Sequence, residues 1–112
     1  MGPARIMANV VGGMLFVQVI LGGSSVLLNF PIGYHIVWGI ITFVVLLITT
    51  ALIFRTYGRK SSIFIVSILT IVDFIIQGVL GLLAFSSDVV VVVHLTNAFV
   101  LAVFISNVIA IC

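Results

Sequence analysis

The chain has 112 residues, 64% of them hydrophobic and only 5% charged, with a mean hydropathy of +1.59. So few charges cannot furnish the polar shell of a water-soluble domain of this size, and long uncharged runs mean that a lipid bilayer is the solvent. The formal net charge of +2, from four basic residues against two acids, bears on membrane orientation and does not suggest nucleic acid.

Apolar character continues to the last residue, so a lone N-terminal signal peptide does not account for it. The single cysteine, Cys112, is the C-terminal residue and allows no intrachain disulfide. The opening MGPAR places Arg5 at an interface. Residues 6–28 then carry no charge and are long enough to cross roughly 30 Å of hydrocarbon as a helix. Asn29, Pro31 and Gly33 punctuate a tight connection. A second apolar run covers 34–54. RTYGRK, residues 55–60, is the only charge cluster and has Gly58 for its turn. The third run, 61–85, contains one charge, Asp73. SSD, ending at Asp88, suits a helix start, and the fourth run covers 89–111.

These runs predict a single all-α domain, an integral membrane four-helix bundle. VVVVV at 89–93 has high strand propensity, but an isolated strand in lipid leaves its backbone unpaired, so helix is the expectation there too. Four spans put both termini on one side, with Arg5, Arg55, Arg59 and Lys60 all on that side. The positive-inside rule makes that side cytoplasmic, in a multi-pass protein of a prokaryotic-type plasma membrane.

A repeat divides the chain. Gln77, Leu80, Gly81 and His94 follow Gln18, Leu21, Gly22 and His35 by one constant interval, 59 residues. Two tandem helix hairpins, about 4–53 and 63–112, would be related by a pseudo-two-fold axis along the membrane normal. The two histidines are the only ones in the chain. Both fall just inside the outer ends of their helices, the second and the fourth, at one depth. Two neutral imidazoles facing each other in a bundle are suited to ligate one haem iron.

The neighbouring small residues fit that reading. Gly39 and Ala98 each lie four residues after a histidine, one turn inward on the same face. Gly22 and Gly81 allow close approach of the ring or of neighbouring helices. Gln18 and Gln77 suit an interhelical hydrogen bond of about 0.6 kcal/mol, or orientation of a haem edge or a quinone. Asp73 is the anomaly: an intramembrane carboxyl one turn before Gln77, whose counterpart at the repeat interval is Met14. It is expected to be protonated and hydrogen-bonded to Gln77 or Thr70, and it is a candidate for proton transfer.

At these residues the sequence resembles the haem A synthase family of cytochrome oxidase assembly. The likeness lies in the Q-x-x-L-G helix followed by a histidine helix, at Gln18, Leu21, Gly22 and His35 and again at Gln77, Leu80, Gly81 and His94. HLTNAFV, from His94 to Val100, is similar to the family's histidine helix. The resemblance implies that His35 and His94 are axial ligands of a b-type haem. It departs where the substrate-processing half of such enzymes has a glutamate and an arginine around its first histidine. Ile32 and Ile36 stand there, the chain has no glutamate, and the outer-loop cysteine pair is missing. The chain therefore looks like one cofactor-binding half, or a compact relative.

The expected function is that of a membrane b-type cytochrome, binding haem b for electron transfer with an unknown redox partner or quinone. A compact haem A synthase, able to rebuild an eight-helix layout as a homodimer, is the alternative. A cofactor-free helical subunit, in which histidines and glutamines only pack, is the third reading.

Overall fold

The structure, a computed structural model, describes residues 2–112. They form four long helices: α1 (Pro3–Leu27), α2 (Ile32–Tyr57), α3 (Ser62–Leu83) and α4 (Asp88–Ile111). A single 3₁₀ turn, Ala84–Ser86, leads from α3 towards α4. The four helices are each long and apolar enough to cross a membrane. The 42 Å long axis of the molecule compares with about 40–45 Å for a bilayer including its headgroups.

Local chemistry sets the boundaries. Pro3 opens α1, where its missing N–H is not needed. Asn29 ends the first connection with φ 59°, a left-handed conformation that asparagine tolerates. Gly58 does the same after α2 with φ 83°. Ser61 then caps α3, its Oγ accepting from the Phe64 N–H at 3.2 Å. At α4 the expected cap is only partly present. Ser87 occupies the N-cap position, but its hydroxyl makes no cap hydrogen bond. The acidic Asp88 stands in the first turn, where the unpaired N–H groups favour negative charge. Residues 89–93 are helical, as backbone satisfaction in lipid requires. The helices begin and end a few residues beyond the apolar runs, because the runs mark hydrocarbon depth whereas capping marks helix ends.

The bundle is square. α1 packs chiefly on α2 and α3 on α4, and α2–α3 and α1–α4 contacts close the ring. Backbones on the two diagonals stay apart.

The buried side chains are unevenly distributed. They comprise Ala4, Ala8 and Val11 of α1, Leu46 and Ile53 of α2, Ile63 of α3, and Leu101, Ile105 and Val108 of α4. These lie in the half nearest the 55–60 loop and the termini. Thr42, Thr49, Thr50, Ser67 and Thr70 are buried among them. Each of these five hydroxyls donates to the carbonyl four residues earlier in its own helix, at 2.7–2.9 Å. Small side chains with locally satisfied hydroxyls let helices approach closely without leaving a polar group exposed to hydrocarbon. Beyond Gly39, Thr42 and Asp73, the other half has half-buried and exposed side chains only.

Candidate functional site

The histidines lie in that loosely packed half. His35 is on the first turn of α2 and His94 on the second turn of α4, and both are half-buried. Although α2 and α4 are diagonal partners, the imidazoles reach across to each other. Their ring centroids are 6.4 Å apart and their planes are nearly perpendicular, at 84°.

Each ring is held by the helix preceding its own. His35 Nδ1 lies 3.0 Å from the Gln18 carbonyl oxygen of α1, and His94 Nδ1 lies 3.1 Å from the Gln77 carbonyl oxygen of α3. A carbonyl can only accept, so Nδ1–H donates in both cases. The tautomer follows: the lone pair is on Nε2. An Nδ1–H···O=C bond of this kind is the usual outer-shell support of a metal-bound imidazole.

Gly22 and Gly81 sit against these rings. A Cβ on Gly22 would lie 2.9 Å from His35 Cε1, and one on Gly81 would lie 3.1 Å from His94 Cε1. The two glycines therefore cradle the imidazoles themselves. Gly39 has another neighbour: a Cβ there would lie 2.6 Å from the Gln18 amide nitrogen. It makes room for Gln18. Ala98 is half-buried one turn inward from His94.

The glutamines use their side chains differently. Gln77 Nε2 donates to the His94 carbonyl at 2.9 Å, while its Oε1 accepts from Asn97 Nδ2 at 2.8 Å. Gln18 Oε1 is buried with no hydrogen-bond partner among the described residues. The difference traces to one substitution between the repeats. Asn97 stands where the first repeat has Trp38, whose single N–H goes to the Met14 carbonyl at 2.8 Å. Asn97 and Trp38 are the site residues that sequence reasoning missed. Each follows a histidine by three positions on the same helical face, and that signal was available.

Asp73 is buried, 7% exposed, inward of Gln77 on α3. Its carboxyl meets the Asn97 side chain. Thr70, one of the two expected partners, spends its hydroxyl on the Val66 carbonyl, and Gln77 is engaged as described. The α4 residue takes their place because α3 packs face to face with α4 at this level.

Among the described residues no group of three or more His, Cys, Asp or Glu side chains comes together. The donor set is two imidazoles. That set is too small to hold a bare zinc or copper ion, which needs about three or four protein ligands. It matches a metal that brings four equatorial nitrogens of its own, as haem iron does. A metal–imidazole bond of about 2.0–2.1 Å, with the ring centre roughly 1.1 Å beyond the nitrogen, puts two trans ring centroids roughly 6.3 Å apart. The residues present fit the group. Compared with known protein families, curated proteins and solved structures, the chain finds no match.

Proposed function

We propose that this chain is a membrane-embedded b-type cytochrome that binds one haem between His35 and His94 and passes single electrons. The observation that carries the reading is the histidine pair: 6.4 Å between centroids, each ring locked through Nδ1 to a carbonyl with Nε2 left to ligate. When bound, the haem supplies one-electron oxidation and reduction. The chain's residues set what surrounds it. The Gln18 and Gln77 carbonyls fix ring orientation and raise imidazole basicity, and Gly22 and Gly81 let α1 and α3 close on the rings.

In this reading the chain is two tandem helix hairpins with pseudo-two-fold symmetry, a compact relative of the cofactor-binding half of haem A synthases. The shared set of glycine, carbonyl and imidazole contacts at an interval of 59 residues supports it. The termini and the 55–60 loop face the cytoplasm and the histidine ends face outward, supported by the distribution of Arg5, Arg55, Arg59 and Lys60. An external one-electron carrier or a quinone is the partner.

The test is the absorption and electron paramagnetic resonance of detergent-purified protein. Reduction is expected to give sharp low-spin α and β bands. The oxidised protein is expected to show the strongly anisotropic low-spin signal produced by perpendicular axial imidazole planes, since the rings stand at 84°. A protein that stays colourless when haem is supplied during expression refutes the cytochrome reading and leaves a packing role for the repeat. For orientation, Lys60→Cys in a Cys112→Ser background is expected to react with a membrane-impermeant thiol reagent in inside-out vesicles only. Labelling in right-side-out vesicles would reverse the topology.

A further inference from the structure

Asp73 has no part in holding the histidines, yet it is the one acidic side chain buried in the bundle. Its Oδ2 makes no hydrogen bond among the described residues, and its carboxyl meets Asn97. Asn97 donates to Gln77 Oε1 at 2.8 Å, Gln77 Nε2 donates to the His94 carbonyl at 2.9 Å, and the Gln77 carbonyl accepts from His94 Nδ1 at 3.1 Å. A polar chain thus runs from the carboxyl to one of the two imidazoles.

An isolated carboxylate in hydrocarbon is costly and needs either a proton or a positive partner. α3 packs against α2 and α4, and their ionisable groups can be placed by level. Phe43 stacks on Phe74, next to Asp73, so Arg55 and Tyr57 of α2 lie roughly 18 Å or more along the helix, and Tyr34 and His35 roughly 12–14 Å. On α4, counting from Asn97, Asp88 lies roughly 13 Å and Cys112 roughly 22 Å along the helix, and His94 one turn away. The spans bring no Lys or Arg to this depth. The only source of positive charge near Asp73 is the redox centre: a ferric porphyrin with two neutral imidazoles carries one net positive charge, and the ferrous form carries none.

Building on the cytochrome reading, we propose that Asp73 is a redox-linked proton site. It takes up one proton when the centre gains one electron and releases it when the electron leaves. Reduction transfers one electron from an external one-electron donor and removes the positive charge. A proton from the aqueous phase then converts the Asp73 carboxylate to the acid, breaking no other bond. Oxidation reverses both transfers, and the buried region stays neutral in each state. Asn97 and Gln77 are positioning residues that tie the carboxyl to the ligand helix.

The experiment is a redox titration of the purified holoprotein across the neutral pH range, begun only after its low-spin spectrum has been recorded. The wild-type potential is expected to fall as pH rises. The limit for one proton is a tenfold change in the reduction equilibrium per pH unit, about 59 mV. Asp73→Asn should keep the low-spin bands and lose this dependence. Reduced-minus-oxidised infrared spectra of the wild type should show a protonated carboxyl band appearing on reduction, which decides the matter even if the variant does not accumulate. A pH-independent wild-type potential, or a dependence that survives in Asp73→Asn, overturns the proposal while the haem reading stands. A protein without haem fails at the first spectrum and takes both down together.

Discussion

His35→Ala and His94→Ala each remove the low-spin spectrum. With one imidazole gone, the iron is left with a single protein ligand, so the reduced α and β bands should give way to a broad high-spin spectrum or to loss of the haem. The two variants should not be equal. His94 is tied to its partner helix by two bonds, through the Gln77 carbonyl and through Gln77 Nε2 to its own carbonyl. His35 has only the Gln18 carbonyl. The surviving ring is therefore better fixed in His35→Ala, and that variant should retain more haem than His94→Ala. Haem per protein after gel filtration, with the pyridine haemochrome as the measure, checks both points. Unchanged low-spin spectra in either variant would place the ligands elsewhere.

The second large effect is expected at residues that touch no iron. Gly22→Ala puts a methyl group 2.9 Å from His35 Cε1, and Gly81→Ala puts one 3.1 Å from His94 Cε1. The first distance lies below any ordinary carbon–carbon contact, and its neighbour is a ring already pinned at Nδ1. Relief requires breaking the Gln18 bond or moving α1 outward. Disturbing an outer-shell hydrogen bond of this type typically costs about 10–100-fold in metal affinity. Gly22→Ala should fall towards the larger figure and Gly81→Ala towards the smaller. Haem transfer to apomyoglobin gives the dissociation rates. Equal, wild-type-like rates in both variants would mean that the glycines serve only helix packing.

Much of the fold was legible in the sequence because lipid narrows the choices. Uninterrupted apolar runs of this length have one way to satisfy their backbone, so even residues 89–93 had to be helical. The turns were also readable, with Asn29 and Gly58 taking the left-handed conformations that their side chains permit. The site was partly legible. Histidines repeated at one interval, each preceded by a glycine at equal spacing, pointed to the pair. Which atom each residue would meet was beyond the pattern. Gly39 looks like a platform for a cofactor and in fact receives the Gln18 side chain. Asp73 was expected to bond within its own helix and instead meets Asn97, because facing helices supply partners that a one-dimensional spacing does not register. Trp38 and Asn97 passed unnoticed since aromatic and amide side chains in a span first suggest packing.

The uneven burial has a mechanical meaning. The bundle resembles a spring clip, with its coil at the 55–60 end, where Ala8, Val11, Leu46, Ile53 and Val108 interlock, and its jaws at the histidine end. Such a body can open at the jaws while the coil stays shut, since local opening costs least where few buried contacts must break. Whatever binds between the jaws adds its stabilisation there and nowhere else. Slowed amide exchange on ligand binding should accordingly be confined to the outer halves of the helices, leaving the end near the termini as rigid as before.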